Sequence, residues 1–211
     1  MFSFFKKKKS AKSTDKVWRS TEEKVRGLGF DIDAYLAANQ SVFVFYYFDE
    51  TKNWLENMLT AKRIEFKELD QANGSTKVTL VPASEIKTSS RVVDALRRYS
   101  DPNTSQFLFA NHYPHFYKET EVLEELIHLH ETVIECCFYV SLDDPLMEVF
   151  GSEKIKNILD RMGVKENEVI QHGMVTSSIS RAQKKIDANV TNELRAKSQE
   201  EWFRVNLSNG L

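Results

Sequence analysis

Cysteine is nearly absent: the 211-residue chain has two, adjacent at Cys136 and Cys137. That excludes a disulfide framework and fits a reducing compartment such as the cytoplasm. Proline (4) and glycine (7) are scarce too, which excludes collagen-like, linker-dominated and low-complexity architectures. No apolar run in the sequence approaches the roughly 20 residues a membrane-spanning helix needs. What is plentiful is material for a core, with 41% hydrophobic and 11% aromatic residues against 28% charged. Length and composition together allow one ordinary domain with an appendage, or two small ones.

Charge is unevenly placed. Residues 1–16 carry six lysines against Asp15, so the remainder sums to −7 within a chain total of −2. An acidic body argues against a nucleic-acid groove, which needs clustered cations to displace counterions. The basic segment 1–16 is expected to be a flexible leader. Two readings of it stand: a solvated tail, or a weak peripheral touch on anionic lipid by Phe4 and Phe5 with Lys6, Lys7, Lys8 and Lys9. The second would place a cytoplasmic protein at the periphery of the inner membrane.

Beyond the leader, strand and helix signals alternate. Residues 17–38 read as one or two short helices, with Ser20 and Glu23 at capping-box spacing and Gly27 and Gly29 as interruptions. Residues 41–48, SVFVFYYF, form a continuous β-branched and aromatic run, the mark of a strand buried on both faces. Helix follows to about Lys62, then strand signals at 64–69 and 76–81, with the Asn73-Gly74 turn between them. Helices at 91–99 and 118–131 frame strands at 106–110 and 133–140. This alternation predicts an α/β layer fold with a mostly parallel sheet. After Ser141 the strand signals stop. Val175, Ile179, Ala182, Ile186, Val190 and Leu194 trace one apolar stripe, predicting a helix of about 30 residues reaching to about Val205.

The segment from Phe138 to Asp187 carries a resemblance. Phe138-Tyr139-Val140-Ser141-Leu142-Asp143-Asp144-Pro145-Leu146-Met147-Glu148-Val149-Phe150-Gly151-Ser152 is similar to the F-Y-x-S-L-E-D-x-L-M-x-x-F-G-S signature of SecA, the ATP-driven motor of bacterial protein export. Asp143 stands in place of its Glu, and Pro145 in place of the Asp usual in the family at that open position. The likeness continues through Asp160–Gly163 and Glu168–Thr176 to Ile179 and Ala182-Gln183-Lys184-Lys185. The resemblance implies a RecA-like second nucleotide-binding domain, of the helicase C-terminal type, over 17–151. It implies a helical extension like the start of the SecA scaffold over 152–211.

The motor's catalytic strings have no counterpart. The sequence contains no G-x-x-x-x-G-K-[ST] phosphate loop. Where the family carries Q-x-x-G-R-x-G-R-Q-G-D-x-G, whose arginines stabilise charge on a transferred phosphoryl group, this chain reads Leu126-Ile127-His128-Leu129-His130-Glu131-Thr132-Val133-Ile134-Glu135-Cys136-Cys137. No arginine occurs between Arg98 and Arg161, and from Tyr117 to Glu135 six glutamates face one lysine. No catalytic, cofactor-binding or metal residue is therefore carried over.

Other groupings have ordinary readings. Asn111-His112-Tyr113-Pro114-His115 follows a strand, where α/β folds hold ligands. With His128, His130 and the cysteines it suggests zinc, but adjacent cysteines on a strand face opposite ways. Asp143 and Asp144 sit where helix caps are expected. Trp202 and Phe203 either pack back on the domain or join a partner surface.

The expectation is a non-catalytic, SecA-like cytoplasmic protein without cofactor. It would act on a protein partner or a second copy of itself through Val175, Ile179, Ile186, Val190, Leu194, Trp202 and Phe203. The alternative is a small enzyme reusing the α/β frame around Asp49, Ser84, His112 and His115.

Overall fold

The computed structural model describes residues 12–149, 151–161, 163–171 and 173–207, Met174 by its backbone alone. The suggested lipid contacts Phe4, Phe5, Lys6, Lys7, Lys8 and Lys9 lie outside them. Among the described residues six strands form one all-parallel sheet: β1 (Lys12–Trp18), β2 (Ser41–Tyr46), β3 (Lys67–Glu68), β4 (Val78–Pro82), β5 (Ser105–Phe109) and β6 (Glu135–Ser141), in the order β1-β6-β5-β2-β4-β3. Flanked by helices, this is the α/β layer arrangement with a parallel sheet that the alternation predicted.

Strict alternation along the strands makes two separate cores. Val42, Val44 and Tyr46 of β2 face one side with Leu80, Leu108 and Tyr139, while Phe43 and Phe45 face the other with Phe107, Phe109 and Phe138. On the first side, α1 (Thr21–Ala37) and α2 (Asp49–Ala61) contribute Leu28, Ile32, Leu55 and Leu59. The second side is covered by α3 (Ser90–Tyr99), α4 (Phe116–His130), α5 (Pro145–Glu148), α6 (Ser152–Arg161), α7 (Gly173–Asn189) and α8 (Gln199–Asn206). As expected of neighbours on a strand, Cys136 joins the second core and Cys137 packs against the first.

Several elements depart from the sequence expectation. Lys12–Lys16, expected in the leader, are strand, pairing residue for residue from Lys12↔Glu135 to Trp18↔Ser141. Apolar periodicity is hidden there because Asp15 and Lys16 turn inward to charged partners, Lys16 to Asp31 at 2.6 Å. Gly27 and Gly29 do not interrupt α1; they let it approach closely. A Cβ on Gly27 would lie 2.3 Å from the Trp18 indole, which stacks on Tyr139 at 5.5 Å. Ser20 caps α1 by accepting from Glu23 N, as its spacing indicated.

The 30-residue helix is two shorter ones. Between α7 and α8 the chain turns at Thr191-Asn192, where Glu193 swings inward to accept from Tyr113 Oη, Trp202 Nε1 and Lys118 Nζ. Asn206 grips the Leu194 backbone, donating to its carbonyl at 3.0 Å and accepting from its N–H at 2.6 Å. Ser198 then caps α8. The stripe is accordingly no partner surface: Ile179, Ile186, Val190 and Trp202 are buried in the chain's own core, and Val175 and Phe203 are half-buried against it. Leu194 alone of that set is exposed. The described residues of 17–151 and of 152–211 thus share one core, because Leu159, Ile179 and Ile186 pack with the sheet's phenylalanines.

Candidate functional site

In an open parallel sheet, ligand crevices form at the carboxyl ends of strands whose following helices leave to opposite faces. Here β1 and β2 lead into α1 and α2 on one face, whereas β5 and β6 lead into α4 and α5 on the other. Since β1 neighbours β6 and β5 neighbours β2, two such divergences stand side by side. A cleft of about 560 Å³ opens there, within the ~300–1,000 Å³ range of small-molecule sites. It is lined by Thr21 and Lys24 of α1, Glu50, Thr51 and Trp54 of α2, Asn111 after β5, Asp143–Pro145 after β6, Glu148, and Gln199, Glu200 and Phe203 of α8.

Its floor is polar and largely satisfied. Lys24, buried, donates to Asp144 Oδ1 at 2.6 Å; the same carboxylate accepts from Ser141 N and Ser141 Oγ, each at 2.9 Å. Breaking such a buried pair from one side costs about 3–5 kcal/mol, since the other charge is stranded. Asp143 and Asp144 were expected to cap the helix that follows them, and the structure assigns them other partners. Asp144 binds back to Ser141. Asp143 accepts from Thr21 N at 3.0 Å, in the first turn of α1, and from Lys156 Nζ at 2.7 Å. Gln199 closes the far wall, donating to His112 O at 2.8 Å and accepting from Leu146 N at 3.1 Å. Of the lining side chains, Asn111, 5% exposed, has a buried Oδ1 with no donor among the described residues.

The histidines named from sequence lie behind this cleft and do not line it. His112 stacks on Phe138 at 4.3 Å and donates from Nε2 to Asp15 at 3.2 Å and from Nδ1 to Glu119 at 2.9 Å. Burial alone would push its pKa down, but the carboxylates of Glu119 and Asp15 outweigh that and raise it to about 10. Asp15 is held below the usual carboxylate range; burial opposes this and the His112 imidazolium overcomes it. His115 donates to Asp187 of α7 at 2.6 Å, and Gln183, also of α7, donates to Tyr113 O at 2.8 Å. These contacts form a lock that fastens α7 and α8 to the loop after β5. Of the alternative enzyme's residues, Asp49 is exposed in the first turn of α2 and Ser84 is exposed after β4. Neither is hydrogen-bonded to either histidine among the described residues. Burial raises both thiols, Cys136 to about 12, far from the range of a reactive thiolate. Among the described residues no group of His, Cys, Asp and Glu has metal-site geometry.

Lys24, Thr51 and Trp54 were missed at the sequence level. Lys24 has no local signature, being one of several charges on an amphipathic helix, and only the tertiary fold turns it inward.

Comparison with known proteins bears on one part of the chain. No protein-family model matches it. A stretch of 52 residues is 62% identical to protein translocase subunit SecA of Flavobacterium psychrophilum and, equally, to that of Christiangramia forsetii; it covers 25% of this chain and 5% of each relative. SecA of Clostridium perfringens is 54% identical over 52 residues, covering 25% of this chain and 6% of that protein. The chain therefore carries a SecA-related segment and spans only about one twentieth of the curated relatives it matches. Among solved structures, the C-terminal part of the Fun30 ATPase domain superposes with a TM-score of 0.43 at 11% identity, covering 81% of this chain and 57% of that one.

Proposed function

We propose that this chain is a non-catalytic SecA-like module that serves a protein-export system by binding protein, with no nucleotide chemistry of its own. The relationship rests on the SecA-related segment. The absence of motor activity rests on one observation, the charge of the switch-point cleft. Glu50, Asp143, Asp144, Glu148 and Glu200 line it, against Lys24 as the cation among its lining residues, and Lys24 is held by Asp144. A triphosphate placed there would meet uncompensated carboxylates in a partly desolvated site, where like-charge repulsion is weakly screened.

The SecA-like residues have a structural use here. Asp144, Gln183 and Asp187 hold α1, α7 and the loop after β5 together, so the segment can be retained for folding without hydrolysis. A cytoplasmic site of action follows from the export role; among the described residues no helix is long and apolar enough to cross a membrane.

Calorimetry with MgATP and MgADP, beside a phosphate-release assay, tests the first half. No saturable heat at millimolar nucleotide and no turnover are expected, and either signal would overturn the reading. For the second half, the purified chain is titrated against SecA and the membrane translocase of the same cell. Saturable association with either is expected, and none with both would sink the export role.

A further inference from the structure

We propose that the switch-point cleft is a receptor for a guanidinium-bearing peptide segment, an exposed arginine of a protein partner. This deepens the protein-binding reading above and rests on it. Three independent features converge.

The first is charge. Glu50, Glu148 and Glu200 are exposed on the cleft and form no ion pair among the described residues, whereas Asp143 and Asp144 already hold Lys156 and Lys24. A second cation is therefore unopposed at the rim. The second is the unanswered acceptor. Asn111 lines the floor, is 5% exposed and has a carboxamide oxygen without a donor, so the fold leaves a buried polar atom that a ligand N–H would satisfy. The third is the pair of aromatic residues, Trp54 and Phe203, both half-buried among the lining residues. Trp54 already receives a cation, with Lys24 Nζ 5.9 Å from the ring centroid.

Arginine matches this set better than lysine. Its planar fork offers five donors, enough for rim carboxylates and a carboxamide together, and its flat, weakly hydrated cation stacks on indole and phenyl faces. The cleft is larger than one side chain, so it accommodates the arginine with flanking residues of an extended peptide, and its openness to solvent suits a segment entering from outside.

Fluorescence anisotropy with a labelled hexapeptide containing two arginines and no acidic residue, against the same peptide with citrulline, tests the proposal. Citrulline keeps the shape and loses the charge. Preference for arginine by roughly tenfold is expected, declining as salt is raised. The triple variant E50Q/E148Q/E200Q should erase that preference. The charge-matched control E65Q/E124Q/E166Q, which changes exposed glutamates away from the cleft, should keep it. Asn111→Leu should weaken arginine binding while leaving far-UV circular dichroism intact; should it unfold, the glutamine triple still decides. Equal binding of the two peptides, or equal loss in the cleft and control triples, overturns the proposal. If neither peptide nor nucleotide binds, this inference alone fails. If nucleotide binds and competes with the arginine peptide, the non-catalytic reading fails with it.

Discussion

The two faces of the sheet are held by different physics. Beneath α1 and α2 the contact is mainly apolar: Leu28, Ile32, Leu55 and Leu59 meet Val42, Val44 and Leu80; one buried ion pair, Lys24 with Asp144, stands at its cleft end, and Lys16 with Asp31 sits at its margin. Beneath α4, α7 and α8 a comparable aromatic core is crossed by buried polar groups, among them His112 with Asp15 and Glu119, His115 with Asp187, Gln183 and Gln199. Apolar packing tolerates small shifts in register. Hydrogen-bonded buried charges do not, because a displaced partner leaves an uncompensated charge. The face covered by α4, α7 and α8 is thus the one whose geometry is specified to within a hydrogen bond.

That contrast can be broken most sharply at Glu119, which accepts from His112 Nδ1 and from Tyr113 N at 2.8 Å. Glu119→Ala should cost about 3–5 kcal/mol, read from urea unfolding. Native-state hydrogen exchange should place the loss of protection in α7 and α8 before α1 and α2. Uniform loss across both faces would show the faces to be equivalent.

pH should separate them with a somewhat smaller effect. His112 has a folded pKa of about 10 against about 6.5 in the unfolded chain. A raised pKa stabilises fully below the unfolded value and ceases to do so as pH rises through the folded one. Stability is therefore expected to decline between about pH 6.5 and 10. Asp15, lowered in the fold, acts at the other end, withdrawing its contribution as the medium becomes acidic. On the apolar face the Lys16 pKa is raised above an already high 10.5, so it remains charged throughout that window. Urea midpoints at pH 6 and pH 9.5 should differ for the natural chain and converge for the variant D15N/H112L/E119Q, which removes the imidazole without stranding a buried carboxylate.

The smallest effect sharpens the comparison from the other side. Gly27→Ala pushes a methyl into the Trp18 indole, costing about 1–3 kcal/mol in overpacking. The gain in helix propensity returns about 1 kcal/mol. The net loss should be independent of pH between 6 and 9.5, and equal unfolding losses at both ends of that range would check it.

Local information made much of the fold legible. The run 41–48 announced a strand buried on both faces because each side chain already matched the period of two, and Ser20 announced the start of α1 because capping is settled within three residues. Asp15 and Lys16 hid β1, because charged residues inside a strand read as solvent until their partners are known. The cleft was half legible: its position follows from strand order, but Lys24 and Asn111 acquire meaning only from neighbours brought to them by the sheet.

The sequence by itself determined the alternation of strands and helices, the two-sided burial of the central strand and the SecA-like run of residues 138–187. Each is written in periods or strings a few residues long. Tertiary structure alone decided that the stripe from Ile179 to Val190 would be buried against this chain while Leu194 stayed exposed, that the helix would break where Glu193 turns inward, and that His112 would be charged between two carboxylates. An apolar stripe states only that something must cover it. What covers it, and which charges meet, depends on residues as far apart as Asp15 and His112, joined by a sheet whose order no local pattern records.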